Sequence, residues 1–421
     1  MVGDHELSVN LVDLSARRII AASVKIDQGR IAEIEPRADR SIDDSMDYML
    51  PGFIDAHIHI ESSMLVPSEF ARMAVRHGTI ATVSDPHEIA NVMGVAGVDF
   101  MIENGAQTPL KFFFGAPSCV PATTFETSGA SIDAAAVGQL LSRDDILYLA
   151  EMMNYPGVLD EDREVMQKLH AARLAGKPVD GHAPGLMGED ARRYVAAGIS
   201  TDHECTTLAE AEHKLSCGMK ILIREGRAAK YFDALYPLID RTPASVMLCS
   251  DDKHPDELAD SHIDALVQRA VKRGCDLFNV LAAACINPID HYRLPLGRLR
   301  VGDPADFVLV KDLNSFDVTA TYIDGRRVFG RDRFGKDEVL FDRAAIEVIN
   351  HFCCDQKTPA DFATTADSPH QRVIKVIDGS LVTEAMDQEL RLDGGRLQID
   401  VDRDLLKLAV VNRYRDAPPA S

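Results

Sequence analysis

Short apolar runs alternate with stretches of helical apolar spacing through the central part of the chain. The runs cover residues 53–60, 79–84, 111–115, 146–151, 178–182, 199–203, 219–223 and 245–251. Between them, apolar residues recur at helical spacing, for example over 162–174, 189–197 and 263–272. Eight such repeats predict an α/β fold, a (β/α)8 TIM-type barrel over residues 51–294. A doubly wound sheet is the structural alternative, although it more often contains fewer strands.

The segments on both sides of this region carry strand patterns that are too short to enclose a core alone. They cover residues 7–12, 19–26 and 30–34 on one side, and 306–310, 318–323 and 327–329 on the other. We therefore expect residues 1–50 and 295–335 to form together one small β-sandwich-like module.

The last part of the chain, residues 336–421, has a weaker pattern. A helix is expected over 341–352, and a strand or a helix over both 373–377 and 405–411. The polar stretch 357–370 predicts a linker. We predict a short, partial C-terminal α+β unit.

Composition excludes several classes of protein. A formal net charge of −21 argues against a nucleic-acid partner, which needs Lys and Arg to neutralise its phosphates. No apolar segment approaches the roughly 18 residues of a membrane span, and the first residues lack the pattern of a signal peptide. The eight cysteines form no Cys-x-x-Cys pair, so reduced thiols are expected. We expect a cytoplasmic protein that acts on a neutral or cationic small molecule and has no membrane partner.

The ends of the predicted strands carry side chains that can bind metal. In a TIM-type barrel the chemistry lies at the C-terminal ends of the strands. His57 and His59 lie two residues apart, so a strand points both imidazoles to one face. The ends of five runs together supply His57, His59, Glu151, His182, His203 and Asp251. We predict that these side chains converge on one metal centre.

These donors are nitrogen and oxygen without thiolate, which suits Mn²⁺, Fe²⁺ or Zn²⁺ better than copper. Two such ions ~3.5–4 Å apart, bridged by Glu151, would activate water as hydroxide by lowering its pKa from ~15.7 towards ~7. Asp251 would accept the proton and return it to the leaving group. The structural alternatives are a hydrogen-bonded loop histidine for His182 and a solvated turn for His203. Because Asp252 follows Asp251, either carboxylate could point inward.

Seven segments, in order along the chain, resemble the adenine deaminase family of the amidohydrolase superfamily. They are residues 51–63, 84–92, 121–129, 150–154, 181–184, 201–204 and 249–252. The stretches His-Glu-Ile-Ala-Asn from His87 and Phe-Glu-Thr-Ser-Gly from Phe125 are specific to this family. The resemblance implies a purine substrate, deamination of adenine to hypoxanthine and ammonia, a binuclear Mn²⁺ or Fe²⁺ centre, and a homodimer as is usual in the superfamily. Its implied metal ligands are His57, His59, Glu151, His182, His203 and Asp251.

The second run ends in a further polar cluster. Asp85, His87 or Glu88 could contact the base edge, shuttle a proton or hold an additional ion. The alternative is that Asp85 and Glu88 cap the following helix. Glu204 is a further candidate for a proton shuttle beside Glu88.

Three more residues are candidates for substrate binding. Glu126 and Ser128, on the loop after the third run, could recognise the purine, or could belong to an ordinary turn. Arg224, after the seventh run, could clamp a ligand at the barrel mouth, or could be a solvated cation at a helix start.

Two rival hypotheses stay open. One is another deaminase or cyclic amidohydrolase of the same superfamily, which the strand-end ligands alone do not distinguish. The other is a catalytically silent or partner-dependent barrel subunit, because members of the family continue beyond the point where this chain stops.

Overall fold

Parallel strands at the centre of the molecule are buried on both faces. The computed structural model describes residues 5–37, 42–43, 45–123, 125–331, 336–345, 349–350, 352–378 and 382–420. In this part of the chain the central strands are Phe53–Ile58, Thr79–Ser84, Lys111–Ala116, Ile146–Met152, Val179–Gly181, Thr201–Asp202, Lys220–Arg224 and Val246–Cys249. Every residue of the first two is buried, which explains why these strands appear in the sequence as continuous apolar runs.

The strands close into a barrel across two seams. Parallel hydrogen bonding joins the first five strands into one set and the last three into another. The amide of Ser200 donates to the carbonyl of Val179 (3.0 Å) and links the fifth strand to the sixth. A parallel bridge between Ile58 and Asp251 links the first strand to the eighth. The predicted (β/α)8 barrel is therefore confirmed.

Helices surround the barrel and connect its strands. Their described bounds are Pro67–Ala74, His87–Met93, Val95–Gly105, Ala134–Leu141, Tyr155–Leu159, Arg163–Ala175, Gly188–Ala196, Leu208–Ser216, Phe232–Leu235, Leu238–Arg241, Pro255–Asp260, Ile263–Lys272, Leu277–Leu281 and Asn287–Tyr292. Arg163–Ala175 begins where the Asp162 side chain accepts the amide of Val165, and it ends at Gly176 in the left-handed conformation. No helix in the described ranges is long and apolar enough to cross a membrane.

One sheet draws its strands from both flanks of the barrel. Its described strands are His5–Asp13, Arg18–Asp27, Arg30–Pro36, Tyr48–Pro51, Phe307–Val310, Val318–Ile323, Arg326–Arg331 and Asp337–Val339. Tyr48–Pro51 pairs with His5–Asp13 on one side and with Phe307–Val310 on the other, and so unites the two flanks. Val9, Val24 and Phe307 belong to the apolar cluster that the sheet buries. Lys111, in the third barrel strand, ties the sheet to the barrel through the Asp306 carboxylate (2.8 Å).

The chain divides into two compact units, of which the first comprises Met1–Thr124 and Ala130–Ile346. The second comprises Phe125–Gly129 and Glu347–Ser421. In its described residues, His370–Lys375 pairs with Glu384–Glu389, and a smaller hairpin joins Leu392–Asp393 to Arg396–Leu397. The remaining regular elements are short 3₁₀ turns at Pro359–Phe362 and Val401–Arg403.

The helix predicted over 341–352 is wrong for the residues that the structure describes there, 341–345, 349–350 and 352. A side-chain contact accounts for the start of this stretch. Arg72 donates to the Phe341 carbonyl (2.6 Å) and places its guanidinium over the Phe341 ring. This contact holds the segment against the barrel and overrides its local helical pattern. Residues 405–411, for which we expected a strand or a helix, carry only single bridges, at Leu405 and Val410.

The close approach of the fifth and sixth strands gives a stability prediction. A methyl group added at Gly181 would lie 2.3 Å from the Thr201 carbonyl oxygen, and a backbone atom has little room to move. We expect Gly181→Ala to lower the free energy of unfolding by about 1–3 kcal/mol in urea denaturation. The matched control is Gly138→Ala, where the nearest atom is 3.9 Å away. Gly138 lies within a helix, so Gly138→Ala should raise the free energy of unfolding by about 0.5–1 kcal/mol. Equal effects of the two substitutions would contradict the packing argument.

A buried histidine predicts how stability depends on pH. Burial, together with the nearby Lys220 and Arg293, lowers the pKa of His291 from 6.5 to about 4. The pKa of His291 is lower in the folded state than in the unfolded state. Its contribution to the free energy of unfolding is therefore fully present above pH 6.5 and is lost as the pH drops towards 4. We expect His291→Gln to remove on the order of 2 kcal/mol of the stability lost between pH 7.5 and pH 5. Urea titrations at both pH values measure this difference. The exposed His170→Gln should behave as the wild type does, and a wild-type pH profile for His291→Gln would refute the prediction.

Candidate metal centre

Two imidazoles converge at the end of the first barrel strand. The Nε2 atoms of His57 and His59 lie 3.1 Å apart, and both side chains are buried. The Nδ1 atom of His59 lies 3.1 Å from the Asp85 backbone carbonyl, which can only accept a hydrogen bond. Nδ1 therefore donates to this carbonyl, and Nε2 faces His57. Such a backbone contact fixes the ring of a metal-binding histidine.

Glu151, at the end of the fourth strand, occupies the middle of the cluster. Its Oε2 atom is 2.7 Å from His182 Nδ1 and 3.0 Å from His203 Nε2. Its Oε1 atom is 3.4 Å from His59 Nε2. One carboxylate thus contacts histidines of the first, fifth and sixth strands.

Asp251 points into the centre, and its carboxylate lies closer to the imidazoles there than that of Asp252 does. The Asp251 carboxylate lies 3.4 Å from His59 Nε2 and 3.6 Å from His203 Nε2. Its backbone has a positive φ of 56°, which turns the chain sharply after the eighth strand. Asp252 instead accepts from Ser62 Oγ (2.7 Å) and from Arg224 (3.1 Å). The structure therefore favours Asp251 as the inward carboxylate.

The cluster after the second strand joins the same centre. His87 Nδ1 lies 3.0 Å from the Asp85 carboxylate and 3.4 Å from Glu151 Oε1. Glu88 Oε2 is 3.4 Å from His59 Nδ1. The helix that begins at His87 has Pro86 as its N-cap and no side-chain cap hydrogen bond, so the capping alternative is wrong.

Glu61 belongs to this cluster but escaped the sequence analysis. It accepts the Ile89 amide (3.2 Å) in the first turn of that helix. Burial raises its pKa to about 8, and the adjacent Glu88 carboxylate contributes to this rise. Its place two residues after His59 was the available signal.

Arg224 and Glu204 are both buried beside the metal centre. Arg224 is 2% exposed, so the solvated alternative is wrong. Its Nε lies 2.6 Å from the Asp251 carboxylate, and its guanidinium also hydrogen-bonds Glu204. Glu204 is buried and lies 3.4 Å from His203 Nε2. The guanidinium therefore faces the acidic wall of the centre.

The turns after the fifth and sixth strands share a buried lysine. Lys214 Nζ donates to the Ala183 carbonyl (2.6 Å) and to the Asp202 carboxylate (3.0 Å). Ala183 follows His182, and Asp202 precedes His203. One ammonium thereby fixes the backbone on which both histidines are mounted.

Asp55 is a second feature that the strand pattern did not reveal. It is fully buried and accepts the Ser250 amide (2.9 Å) and His262 Nε2 (2.8 Å). It thereby connects the strand that carries His57 with the turn that carries Asp251. Its position two residues before His57 was the available signal.

Glu126 and Ser128 lie in Phe125–Gly129, which belongs to the second compact unit. Glu126 is exposed. Their role in base recognition stays a prediction.

Burial and neighbouring charges shift the pKa values of the side chains in the centre. Burial lowers the pKa of His57, and the neighbouring His203 and His59 lower it further, which favours the neutral ring that binds metals. Burial raises the pKa of Glu151, but His182 and His203 outweigh this effect and bring it well below its usual range. Burial raises the pKa of Asp251 to about 6 against the opposing effect of Arg224.

The donor set fits divalent metal ions. Groups of three or four potential ligand atoms, each group within 4.8 Å, include His57–Glu151–His203, His57–His59–Asp251 and His59–Asp85–His87–Glu151. His57 Nδ1 and Asp85 Oδ1 are buried without a hydrogen bond to any described residue. Buried polar atoms of this kind are costly unless a ligand satisfies them. Imidazole and carboxylate donors suit Zn²⁺, Fe²⁺ or Mn²⁺.

Comparison with known proteins identifies the class that this barrel and its centre define. The sequence pattern of the amidohydrolase family matches residues 48–328. This membership implies a divalent metal. Within that class, the chain belongs to the adenine deaminase family.

Relatives from distant organisms support this assignment. The adenine deaminase of Salinibacter ruber is 53% identical over 416 residues, which are 99% of this chain and 75% of that protein. Those of Methanosarcina mazei and Borreliella burgdorferi are 49% and 47% identical, over 97% and 98% of this chain and 74% of each relative. The identity extends over nearly the whole chain, beyond the barrel.

Solved structures show the same fold at low sequence identity. The β-aspartyl dipeptidase of Fervidobacterium islandicum superposes with a TM-score of 0.57 at 15% identity, over 83% of this chain and all of that one. The ochratoxinase of A. niger gives 0.55 at 15% identity, over 79% of this chain and 97% of that one. These neighbours establish the architecture alone.

The central position of Glu151 gives a prediction about metal content. Glu151→Gln removes the charge that contacts four imidazoles. We expect metal affinity to fall by more than the roughly 10–100-fold that loss of an outer contact costs. Elemental analysis after dialysis against a buffered metal measures this. Glu189→Gln, on an exposed helix face, should keep the wild-type content. Equal metal in folded Glu151→Gln would remove Glu151 from the ligand set.

Proposed function

We propose that this protein is a metal-dependent adenine deaminase, which converts adenine and water to hypoxanthine and ammonia. The observation that carries the proposal is the convergence of imidazoles and carboxylates from separate strand ends on one centre. Adenine is proposed as the substrate because the relatives that match nearly the whole chain are adenine deaminases.

In this proposal His57, His59, Glu151, His182 and His203 hold two divalent ions together with Asp251. Mn²⁺ or Fe²⁺ is the proposed metal, with Zn²⁺ as an alternative. When bound, such ions lower the pKa of water from ~15.7 towards ~7 and so supply a nucleophile at neutral pH. Glu151 would contribute both carboxylate oxygens to holding these ions, since Oε1 faces His59 and Oε2 faces His203.

Asp251 is the proposed proton shuttle. It takes a proton from the water that attacks C6 of adenine and delivers it to the exocyclic nitrogen. The C6–N bond then breaks, and ammonia leaves with the proton. Arg224 contacts Asp251 and Glu204 at once, so we assign it to positioning the Asp251 carboxylate. Glu88 and Glu204 remain candidates for a second shuttle.

Recognition of the purine is assigned to the cluster after the second strand. Asp85 and His87 lie beside Glu151, where a bound base would present its ring nitrogens. Buried polar partners discriminate strongly between amino and oxo substituents. Glu126 and Ser128 are retained as further proposed contacts to the base.

Further proposals follow from this function. A free nucleobase as substrate suggests a role in purine catabolism and a cytoplasmic location, which cell fractionation tests. A homodimer is the proposed assembly, and light scattering on the purified protein tests it. All eight cysteines, which lie within the described residues, are unpaired, as a reducing compartment requires.

The direct test uses purified protein loaded with Mn²⁺. Adenine, other aminopurines and cytosine are offered separately, and products are followed by absorbance and by release of ammonia. We expect turnover of adenine and its loss on chelation. Turnover of another ring alone would assign a different deaminase. Bound metal without turnover would assign a silent or partner-dependent subunit.

The proton shuttle gives a prediction of its own. Asp251→Asn should lower kcat for adenine by ~10²–10⁴-fold, because the amide cannot accept and return the proton. Metal content is measured in parallel, since Asp251 is also a proposed ligand. The exposed Asp190→Asn serves as the control and should keep wild-type kcat. Turnover close to wild type in Asp251→Asn would exclude this role.

A further inference from the structure

A cavity of about 280 Å³ lies next to the metal centre but apart from it. It lies between the turns after the seventh and eighth barrel strands and the helices Pro255–Asp260 and Ile263–Lys272. Its charged lining consists of Glu225, Lys230, Lys253, Glu257, Asp260 and Arg269. Among the described residues that line it, none is a proposed metal ligand.

Two of the three cations in this cavity have partners in its wall. Arg269 hydrogen-bonds Glu225 and lies 3.3 Å from Asp233. Lys230 donates to Glu257 Oε1 (3.1 Å). The charges of these two side chains are therefore already compensated.

Lys253 has no such partner. It is 8% exposed, and its ammonium makes no hydrogen bond or ion pair with the residues that the structure describes. The carboxylates of Glu257, Asp55, Asp264 and Glu225 act on this ammonium without forming an ion pair with it, and lysines are rarely buried unless paired. The group is therefore left to bind an anion that enters the cavity.

Glu257 offers the complementary group in the same cavity. Its Oε1 atom is engaged by Lys230, whereas Oε2 is buried and accepts no hydrogen bond from any described residue. Such an oxygen requires an N–H or O–H donor. One ammonium and one carboxylate oxygen thus remain unsatisfied in one small space.

We propose that this cavity is a second, non-catalytic binding site for a small organic carboxylate that also carries an N–H donor. Lys253 holds the carboxylate, and Glu257 Oε2 accepts the N–H. The cavity volume lies near the lower end of ligand pockets, ~300 Å³, and so limits the occupant to a small molecule. This site stands independently of the proposed deaminase activity.

The backbone connects the second site to the metal centre. The Lys253 amide donates to the Asp251 carbonyl (3.1 Å), so both side chains belong to one tight turn. Ser250, which lines the cavity, also hydrogen-bonds Asp55. A ligand at Lys253 therefore binds to the turn that presents Asp251.

The test titrates N-acetylglycine, which carries both groups, into the metal-loaded protein by calorimetry at constant ionic strength. We expect saturable binding in the millimolar range. Lys253→Met should weaken it at least tenfold, whereas the exposed Lys272→Met should leave it unchanged. Glu257→Gln should lower the affinity for N-acetylglycine at least threefold more than the affinity for acetate, which lacks the N–H. Equal affinity in the wild type and Lys253→Met, or no binding at all, would overturn the proposal.

A second measurement does not depend on any variant. Wild-type crystals soaked in sodium bromide are examined for anomalous scattering in the cavity. A bromide within contact distance of Lys253 Nζ supports an anion site. Bromide bound elsewhere on the protein but absent from this cavity would show that only water occupies it and would refute the proposal.

Discussion

The seam between the first and eighth barrel strands is the interaction on which the site depends. The Asp251 amide donates to the His57 carbonyl (2.9 Å), and the His59 amide donates back to the Asp251 carbonyl (3.3 Å). These bonds set the register of residues from opposite ends of the barrel sequence. Asp55 strengthens the seam because it holds both Ser250 and His262. The hydrogen bonds that close the barrel are therefore the same ones that bring His57, His59 and Asp251 together.

Buried cations make the acidic centre compatible with a folded core. Arg224 faces Asp251, Glu204 and Asp252, so it offsets the carboxylates on one wall. Lys214 offsets the buried Asp202 carboxylate in the same way, next to the fifth and sixth strands. Removing one partner of such a buried pair is usually far more damaging than its net contribution to stability suggests.

The sequence was informative where burial imposed a pattern. Parallel strands covered on both faces appear as apolar runs, and the barrel places polar residues at their ends, as with His203. Long-range pairings left no local signal: Asp55 and His262 are far apart in the chain, so nothing in the sequence joined them, and nothing around Arg224 indicated burial. The segment at Phe341 was misassigned because a contact from Arg72, not its own periodicity, fixes its backbone.

The brevity of the fifth and sixth strands has a consequence for dynamics. Few residues are available for strand pairing in Val179–Gly181 and Thr201–Asp202, whereas Ile146–Met152 is longer. Local opening of a protein begins where few backbone hydrogen bonds must break. We therefore expect amide exchange to be fastest along this arc. Since His182 and His203 stand on it, local opening there would separate both imidazoles from the Glu151 carboxylate.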